Sequence, residues 1–400
     1  MKFEHPNTIP MSKTLFFDWV GERIPCRSIN VRGDTHPVAW ASDNELYVGT
    51  GDPNWMPSKD GNYVSHPDKG GWLESDEIYR AMSGLVVEKL IGSPEAFELE
   101  RVNNMRGYIG PGGGGPKPTG MASVDGKLYY AVQNLLGHKL PRFREKSQHG
   151  SDATILCSED FGKSWTPDLN DLLSEMEKEQ FDRKKSSWLT PPEQRSEYKG
   201  WRPMFTGSFF GGPSFIQFGK NNEDAVDDYI YAISADHWDN GRDLRLGRVH
   251  KDSIMDRSKW EFVIPDGEHN VKWTSKLEDS LPILEMDKHI STPEMVFIRS
   301  LNKYILLTWA LHTDFRTPTG SELTILEANQ PWGPFSLVHY EWMWYKREAC
   351  CYTPRIPLKW FDYENLTGYL LHSGSWETQV PYYIPQVRKF KFTIRTDNCR

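Results

Sequence analysis

The stretch that decides the fold runs from Gly211 to Asp256 and reads GGPSFIQFGKNNEDAVDDYIYAISADHWDNGRDLRLGRVHKDSIMD. Three strand signals follow one another in it: PSFIQFG, DDYIYAIS and DLRLGRV. Each is short, rich in β-branched and aromatic residues, and bounded by Gly, Asn or Asp. Residues Lys259–Val263 (KWEFV) supply a fourth. Four strands in succession, one turn apart, describe a blade of a β-propeller. The second strand runs into Ala235-Asp236-His237-Trp238, placing a carboxylate, an imidazole and an indole where a turn begins. That set suits a sugar, whose hydroxyls bind carboxylates and whose C–H faces lie on aromatic rings. It equally suits a polar turn above a half-buried Trp.

The same pattern recurs on both sides. Upstream, residues 33–55 (GDTHPVAWASDNELYVGTGDPNW) read as strand, turn at Asp43-Asn44, strand, with residues 77–90 and 97–102 continuing the sheet. Residues 119–134 (TGMASVDGKLYYAVQN) are a hairpin turning at Asp125-Gly126, a dipeptide suited to a tight hairpin turn. Residues 266–289 read as a long connection. Downstream, TPEMVFIRSLNKYILLTWAL with ELTILEA and PFSLVHYEW form a fourth blade, and CYTPRIPLKWFDYENLTGYLLHSGSW with VRKFKFTIR a fifth. A lone strand at Ile24–Val31 is expected to pair within residues 380–396 and close the ring, leaving residues 1–22 as a lead-in. Closure of this kind removes open sheet edges. The fold class is thus all-β, a five-bladed β-propeller, with six or seven blades also compatible, in one domain over residues 23–400.

Two segments interrupt the pattern. Residues 107–118 (GYIGPGGGGPKP) are too rich in Gly and Pro for regular structure, and they lack P-loop spacing. Residues 168–186 place Leu169, Leu172, Leu173 and Met176 on one helical face. This helix lies in an insertion at about 167–206.

Composition narrows the function. The net charge is −8 with no long run of one sign, so nucleic acid is an unsuitable partner. No apolar run has the length of a membrane span. Hydrophobic content is 38%, whereas 16 Trp are present, and abundant Trp and Tyr suit a carbohydrate binder. The five Cys, at 26, 157, 350, 351 and 399, have no metal spacing and read as reduced. With no signal-like apolar core in the first residues, a cytoplasmic location is expected, or a secreted form already processed. Oligomeric state is not legible.

Residues Ser158–Trp165 (SEDFGKSW) resemble the Asp-box turn of sialidases and related propellers. In this turn Ser and Asp bond the backbone, Gly takes positive φ and Trp packs beneath. Its role is structural. The order GDTHPVAWASDNELY, KPTGMASVDGKLYYAVQN, SEDFGKSW, GPSFIQFGKN, LGRVHKDSI, NKYILLTW, WGPF and YTPRIPLKW resembles a group of carbohydrate-active propellers related to microbial endo-D-arabinanases. It is also similar in type to L-rhamnose-α-1,4-D-glucuronate lyases. The resemblance runs from about residue 30 to the C-terminus, with departures at Thr35-His36, His237-Trp238 and Glu294.

In a propeller, ligands bind at one mouth of the channel, so candidate site residues lie at the ends of first strands. Blade one offers Asp34 and His36, blade two Lys117, and blade three Asp236, His237 and Trp238, with Arg248 nearby. Blade four offers Glu294 and His312, and blade five Tyr352 and Arg355. Hydrolysis of a glycosidic bond needs a general acid and a carboxylate on the other side of the sugar. Glu294 as acid, Asp34 as base and Asp236 tuning the acid fit that need. This arrangement is similar to the Asp/Asp/Glu set of five-bladed arabinanases. A lyase acting on a uronate would instead use Lys117, Arg248 or Arg355 on the carboxylate and His36, His237 or Tyr352 on the α-proton. A glycan-binding propeller would need only the aromatic mouth. The expected substrate is an oligo- or polysaccharide, no cofactor is required, and a channel Ca²⁺ is a further option without a ligand cluster spaced for it.

Overall fold

The computed structural model describes residues 1–28, 33–51, 85–105, 117–133, 150, 152–168, 203–267, 269–313, 319–345, 351–374 and 384–395. Among the described residues the helical pieces are short 3-10 turns, and strands dominate. The expected helix at 168–186 and nearly all of the Gly-rich segment lie outside the described residues.

Among the described residues the strands form five sheets. Sheet I contains Val38–Trp40, Leu46–Gly51, Leu85–Ile91 and Glu98–Met105 in that order. Sheet II contains Lys117–Val124, Lys127–Gln133 and Thr154–Ser158, with Ala153 and Cys157 bridged further out to Phe205 and Thr166. Sheet III begins with Pro213–Phe215, Tyr229–Ala235 and Gly241–His250. Sheet IV contains Glu294–Ile298, Lys303–Leu311, Ser321–Ala328 and Ser336–Tyr345. Sheet V contains Tyr352–Arg355, Thr367–Ser373 and Gln386–Ile394, and its outer strand is Leu15–Pro25 from the other end of the chain.

Local chemistry accounts for the turns. Asp125 (φ 48°) and Gly126 (φ 81°) both occupy the left-handed region, as a two-residue hairpin turn requires. In the 158–165 turn, the Ser158 hydroxyl accepts from Gly162 N at 2.7 Å, and Asp160 accepts from Ser164 N at 2.9 Å. The indole N–H of buried Trp165 closes the turn on the Gly162 carbonyl at 3.0 Å.

Apolar side chains of neighbouring sheets interdigitate in cyclic order. Tyr47 and Val87 of sheet I pack with Leu128 and Tyr130 of sheet II. Ala131 and Ile155 of sheet II pack with Ile230 and Phe262 of sheet III. Ile233 and Leu246 of sheet III meet Met295 and Leu306 of sheet IV. Ile305 and Trp309 of sheet IV meet Tyr352 and Phe390 of sheet V. Leu371 and Val387 of sheet V return to Val38 and Val48 of sheet I. The sheets are arranged as a β-propeller.

Three expectations are corrected. The closing strand is Leu15–Pro25, which overlaps the expected Ile24–Val31 at Ile24 and Pro25 and starts nine residues earlier; it pairs antiparallel with Gln386–Ile394 from Leu15↔Ile394 to Pro25↔Gln386, and residues 29–31 lie outside the described residues. The first 22 residues are therefore not a mere lead-in; Lys2–Phe3 also adds in parallel to Leu284–Ile290. Finally, residues 266–289 are not a bare connection. Leu284–Ile290 (LEMDKHI) pairs with the first half of Gly241–His250, while Glu261–Pro265 pairs with that strand at Gly247 and Arg248 and with Val271–Thr274 on its other side. The sequence signal was there, because Leu284, Met286 and Ile290 alternate with polar residues.

Candidate functional site

The first strands of sheets I and II, II and III, III and IV, and IV and V lie against one another. The bridge Gln217↔Val296 is parallel, so the first strands of sheets III and IV run the same way. Their starts mark one end of the channel. At or just before those starts stand Asp34, Lys117, Ser214, Glu294 and Tyr352. All five are buried.

Arg355 organises this end. Its side chain is fully buried. Nε donates to the Thr35 carbonyl at 3.3 Å, and Nη1 donates to the Pro293 carbonyl at 2.8 Å and reaches Ser214 Oγ at 3.5 Å. One guanidinium thus holds the residues next to Asp34 and Glu294, from sheets I and IV. Its fork geometry suits such bridging.

Glu294 is the second element. It is 2% exposed, and Oε2 accepts from the backbone N–H of Ile356. Burial pushes its carboxyl up to about 7, against the pull of the Arg355 guanidinium and the Ile356 N–H. The charge acting on this acid is therefore Arg355, not Asp236 as expected. Burial lowers Arg355, and Glu294 opposes that effect.

Asp34 is bridged to Gly51, and its Oδ2 accepts from the Tyr352 hydroxyl at 3.1 Å. Thr35 (φ 71°) and His36 (φ 37°) follow it in the left-handed region. Two such non-Gly residues in a row cost on the order of 1–2 kcal/mol each. Their surroundings hold them: Thr35 N donates to Ser373 Oγ at 3.0 Å, and Thr35 Oγ1 donates to the Asp34 carbonyl at 2.7 Å. Tyr352-Thr353 repeats the motif, with Thr353 at φ 51° and its hydroxyl on the Tyr352 carbonyl at 2.8 Å. The two motifs meet at Ser373, whose hydroxyl lies 3.0 Å from that of Thr353.

His36 is fully buried, with Nδ1 3.3 Å from the Thr50 hydroxyl. Burial pushes it down to about 3; the Gly33 carbonyl opposes this, and the positive potentials of Arg355 and His372 add to it. His36 is a neutral imidazole at ordinary pH.

The remaining expected residues divide: the turn that holds Asp236, His237 and Trp238 lies at the site end, and Arg248 does not. Asp236, at the end of the second strand of sheet III, accepts from Arg242 N at 2.9 Å and Asp243 N at 3.1 Å, and lies 3.2 Å from His237 Nδ1. Burial raises its carboxyl, but the bonds from His237 and these two amides together hold it below the ordinary range. It shapes its own turn, and a Cβ at Gly241 would collide with its Oδ1 at 2.4 Å. Trp238 is a buried wedge rather than an exposed platform, with its ring centroid 5.2 Å from Trp309 and 5.7 Å from Tyr352.

Arg248 is at the other end. It faces Tyr231, near the start of the second strand, pairs with Glu261 at 3.0 Å and lies over Trp273 at 3.9 Å. Strand direction decides this: the third strand leaves the site end at Gly241 and reaches Arg248 near its far end. His312 follows a strand that ends at the site end, but it turns outward to stack on Trp342 at 3.9 Å.

Asn240 was missed by sequence reasoning. Its amide donates to the Leu311 carbonyl at 3.0 Å and accepts from Leu311 N at 2.7 Å, welding the 236–240 turn to sheet IV. Its positive φ of 50° in a DNG context was the available signal.

Among the described residues, His5, His289 and Glu322 have ligand atoms within 4.8 Å of one another and could hold a metal ion. Several of their polar atoms are already engaged in hydrogen bonds. Asn7 N donates to His5 Nδ1 at 3.1 Å, Tyr340 donates to Glu322 Oε2 at 2.7 Å, and His289 Nδ1 bonds Glu322 Oε1. This cluster is a clasp for the N-terminal segment.

The fold and this site define a β-propeller with two buried carboxylates and a buried guanidinium at one end of its channel. No family model and no curated protein matches the sequence. Among solved structures, a protein from Bacteroides ovatus superposes with a TM-score of 0.49 at 8% identity, over 92% of this chain and 87% of that one. An α-L-arabinofuranosidase from Podospora anserina in complex with cellotriose gives 0.44 at 9% identity, over 95% and 98%. A GH43_1 enzyme from Xanthomonas citri gives 0.43 at 11% identity, over 94% and 93%. Similarity this low carries no functional argument.

Proposed function

We propose that this chain cleaves a glycosidic bond of an oligo- or polysaccharide, at one end of a five-bladed propeller formed by sheets I to V. Glu294 is the general acid that protonates the leaving oxygen, and Asp34 is the carboxylate that activates water. The observation that carries the reading is the Glu294 carboxyl, pushed up to about 7 by burial at the same channel end as a second carboxylate. A carboxyl that keeps its proton near neutral pH is what leaving-group protonation requires. Arg355 fixes the backbone beside both acids, so their relative placement is built into the sheets.

Calcium does not fit this end. It takes six to eight oxygen ligands, yet Glu294 sits in the field of Arg355 and Asp34 is bonded to Tyr352. No step is routed through it. The lyase alternative is weakened at His36, because an imidazole held down to about 3 is a poor base for an α-proton.

The test is a product profile on a panel of plant and microbial polysaccharides. New reducing ends without unsaturated uronate support hydrolysis. Unsaturated products mean elimination, and binding without release means a glycan-binding propeller.

A further inference from the structure

Behind His36 runs a line of buried polar groups that crosses sheet I from its inner to its outer strand. Thr50 and Glu88 are both 0% exposed. They sit in the runs LYVGTG and LVVEKLI, otherwise apolar or Gly except for Lys89. The Thr50 hydroxyl donates to Glu88 Oε2 at 2.7 Å. Glu88 Oε1 accepts from Arg101 Nε at 3.2 Å and pairs with Nη2 at 3.0 Å.

The order of donors fixes a proton. With Glu88 ionised against Arg101, which only donates, both of its oxygens accept, Oε1 from Arg101 and Oε2 from the Thr50 hydroxyl. Thr50 has one proton, and that proton is used. The 3.3 Å contact with His36 Nδ1 therefore needs the imidazole as donor. Nδ1 carries the hydrogen, and Nε2, on the opposite edge of the ring, carries a lone pair. Nε2 is buried and has no hydrogen-bond partner among the described residues. Arg355 Nη2 is likewise buried without a hydrogen-bond acceptor among the described residues, and Arg355 Nε is bonded to the carbonyl of Thr35, the residue before His36.

We infer that Thr50, Glu88 and Arg101 are positioning residues that hold His36 as its Nδ1–H tautomer, so that Nε2 accepts a hydrogen bond from a sugar hydroxyl at the channel end. A hydroxyl both donates and accepts. It can give its proton to His36 Nε2, which an ionised carboxylate, having no proton to give, cannot do. The backbone strain at Thr35 and His36 is the companion observation, since strain of this kind gathers at ligand-holding positions. The hydroxyl's identity as part of a sugar rests on the hydrolase reading; the tautomer does not.

The experiment separates the two. The ¹⁵N shifts of His36, assigned by their loss in His36→Gln, report the tautomer without any sugar present. The wild-type protein shows Nδ1 protonated and Nε2 bare. Glu88→Gln reverses it: Arg101 forces the amide oxygen toward itself, the amide NH₂ donates to Thr50, and Thr50 then donates to His36 Nδ1. Thr50→Ser keeps the wild-type pattern, and Thr50→Val, which serves if Glu88→Gln does not fold, loses the preference.

Arabino-, xylo- and cello-oligosaccharides are then titrated in turn. A bound sugar shifts Nε2, and the variants that lose the Nδ1–H tautomer bind it at least about tenfold more weakly. A wild-type Nε2–H tautomer, or a tautomer indifferent to Thr50→Val, overturns the relay. An Nε2 signal unmoved by every sugar, or variants with wild-type affinity, overturns the acceptor role while leaving cleavage itself to the product profile.

Discussion

The hydroxyl of Tyr352 donates to Oδ2 of Asp34 at 3.1 Å, although the two residues are 318 positions apart. The bond joins the first strand of sheet V to the segment that leads into sheet I, at the seam where the ring closes. It also ties the carboxylate proposed to activate water to the aromatic wedge, because the Tyr352 ring packs 5.5 Å from Trp309 and 5.7 Å from Trp238.

Tyr352→Phe keeps that packing and removes one bond. Stability should fall by only about 1 kcal/mol, measured by urea unfolding. Turnover should fall roughly tenfold as Asp34 loses its fixed orientation. A loss of stability without loss of turnover would make the bond purely structural.

Stability should depend on pH in opposite senses through two sets of groups. Glu294 is raised from 4.5 to about 7, so the folded state retains a proton that the unfolded chain releases. Its contribution is complete below about 4.5 and is lost as pH rises through about 7, of order 3 kcal/mol. His36 and His372 are lowered from 6.5 to about 3. Their contribution is complete above about 6.5 and is lost as pH falls toward about 3. Glu294→Gln should therefore flatten the fall in urea midpoint between ~pH 5 and ~pH 8 and leave the acid-side fall intact.

Deleting residues 1–25 removes the outer strand of sheet V and exposes the edge of Gln386–Ile394. Phe17 is also lost from its contact with Phe390, at 5.3 Å between ring centroids. The melting temperature should drop by many degrees in scanning calorimetry, and the truncated chain should self-associate through the bared edge. An unchanged melting curve would rule out a closing role for the strand.

Trp165→Ala should cost ~3–5 kcal/mol, because the indole fills the space between sheets I and II beside Tyr130, 5.5 Å away between centroids. Affinity for oligosaccharide in the folded fraction should not change. Loss of binding in a stable variant would move Trp165 into the site.

Much of this was legible because the signals were local. Asp125-Gly126 and the alternation in Tyr229–Ala235 mark their hairpin and strand in place. Asp34, Lys117, Glu294, Tyr352 and Arg355 could be named from a single rule, that first strands line the channel. What failed was non-local. Nothing in LFFDW announces that it pairs with residues almost at the other end of the chain. Arg248 was misplaced because a ten-residue strand carries its two ends to opposite faces of the ring. Trp238 looked like a platform because burial by Trp309 and Tyr352 is invisible until the sheets are assembled. Glu88 did leave a trace, since an acid inside LVVEKLI calls for a buried partner, but the identity of that partner required the register of Glu88 opposite Arg101.

The most direct test of the central claim compares two substrates in one variant. Glu294→Gln should lower kcat at least ~100-fold on a polysaccharide whose leaving oxygen needs a proton. On an aryl glycoside of the same sugar with an acidic phenol as leaving group, it should retain most of the wild-type rate, because that oxygen departs unprotonated. Equal loss on both substrates, or no loss on either, would contradict Glu294 as the general acid.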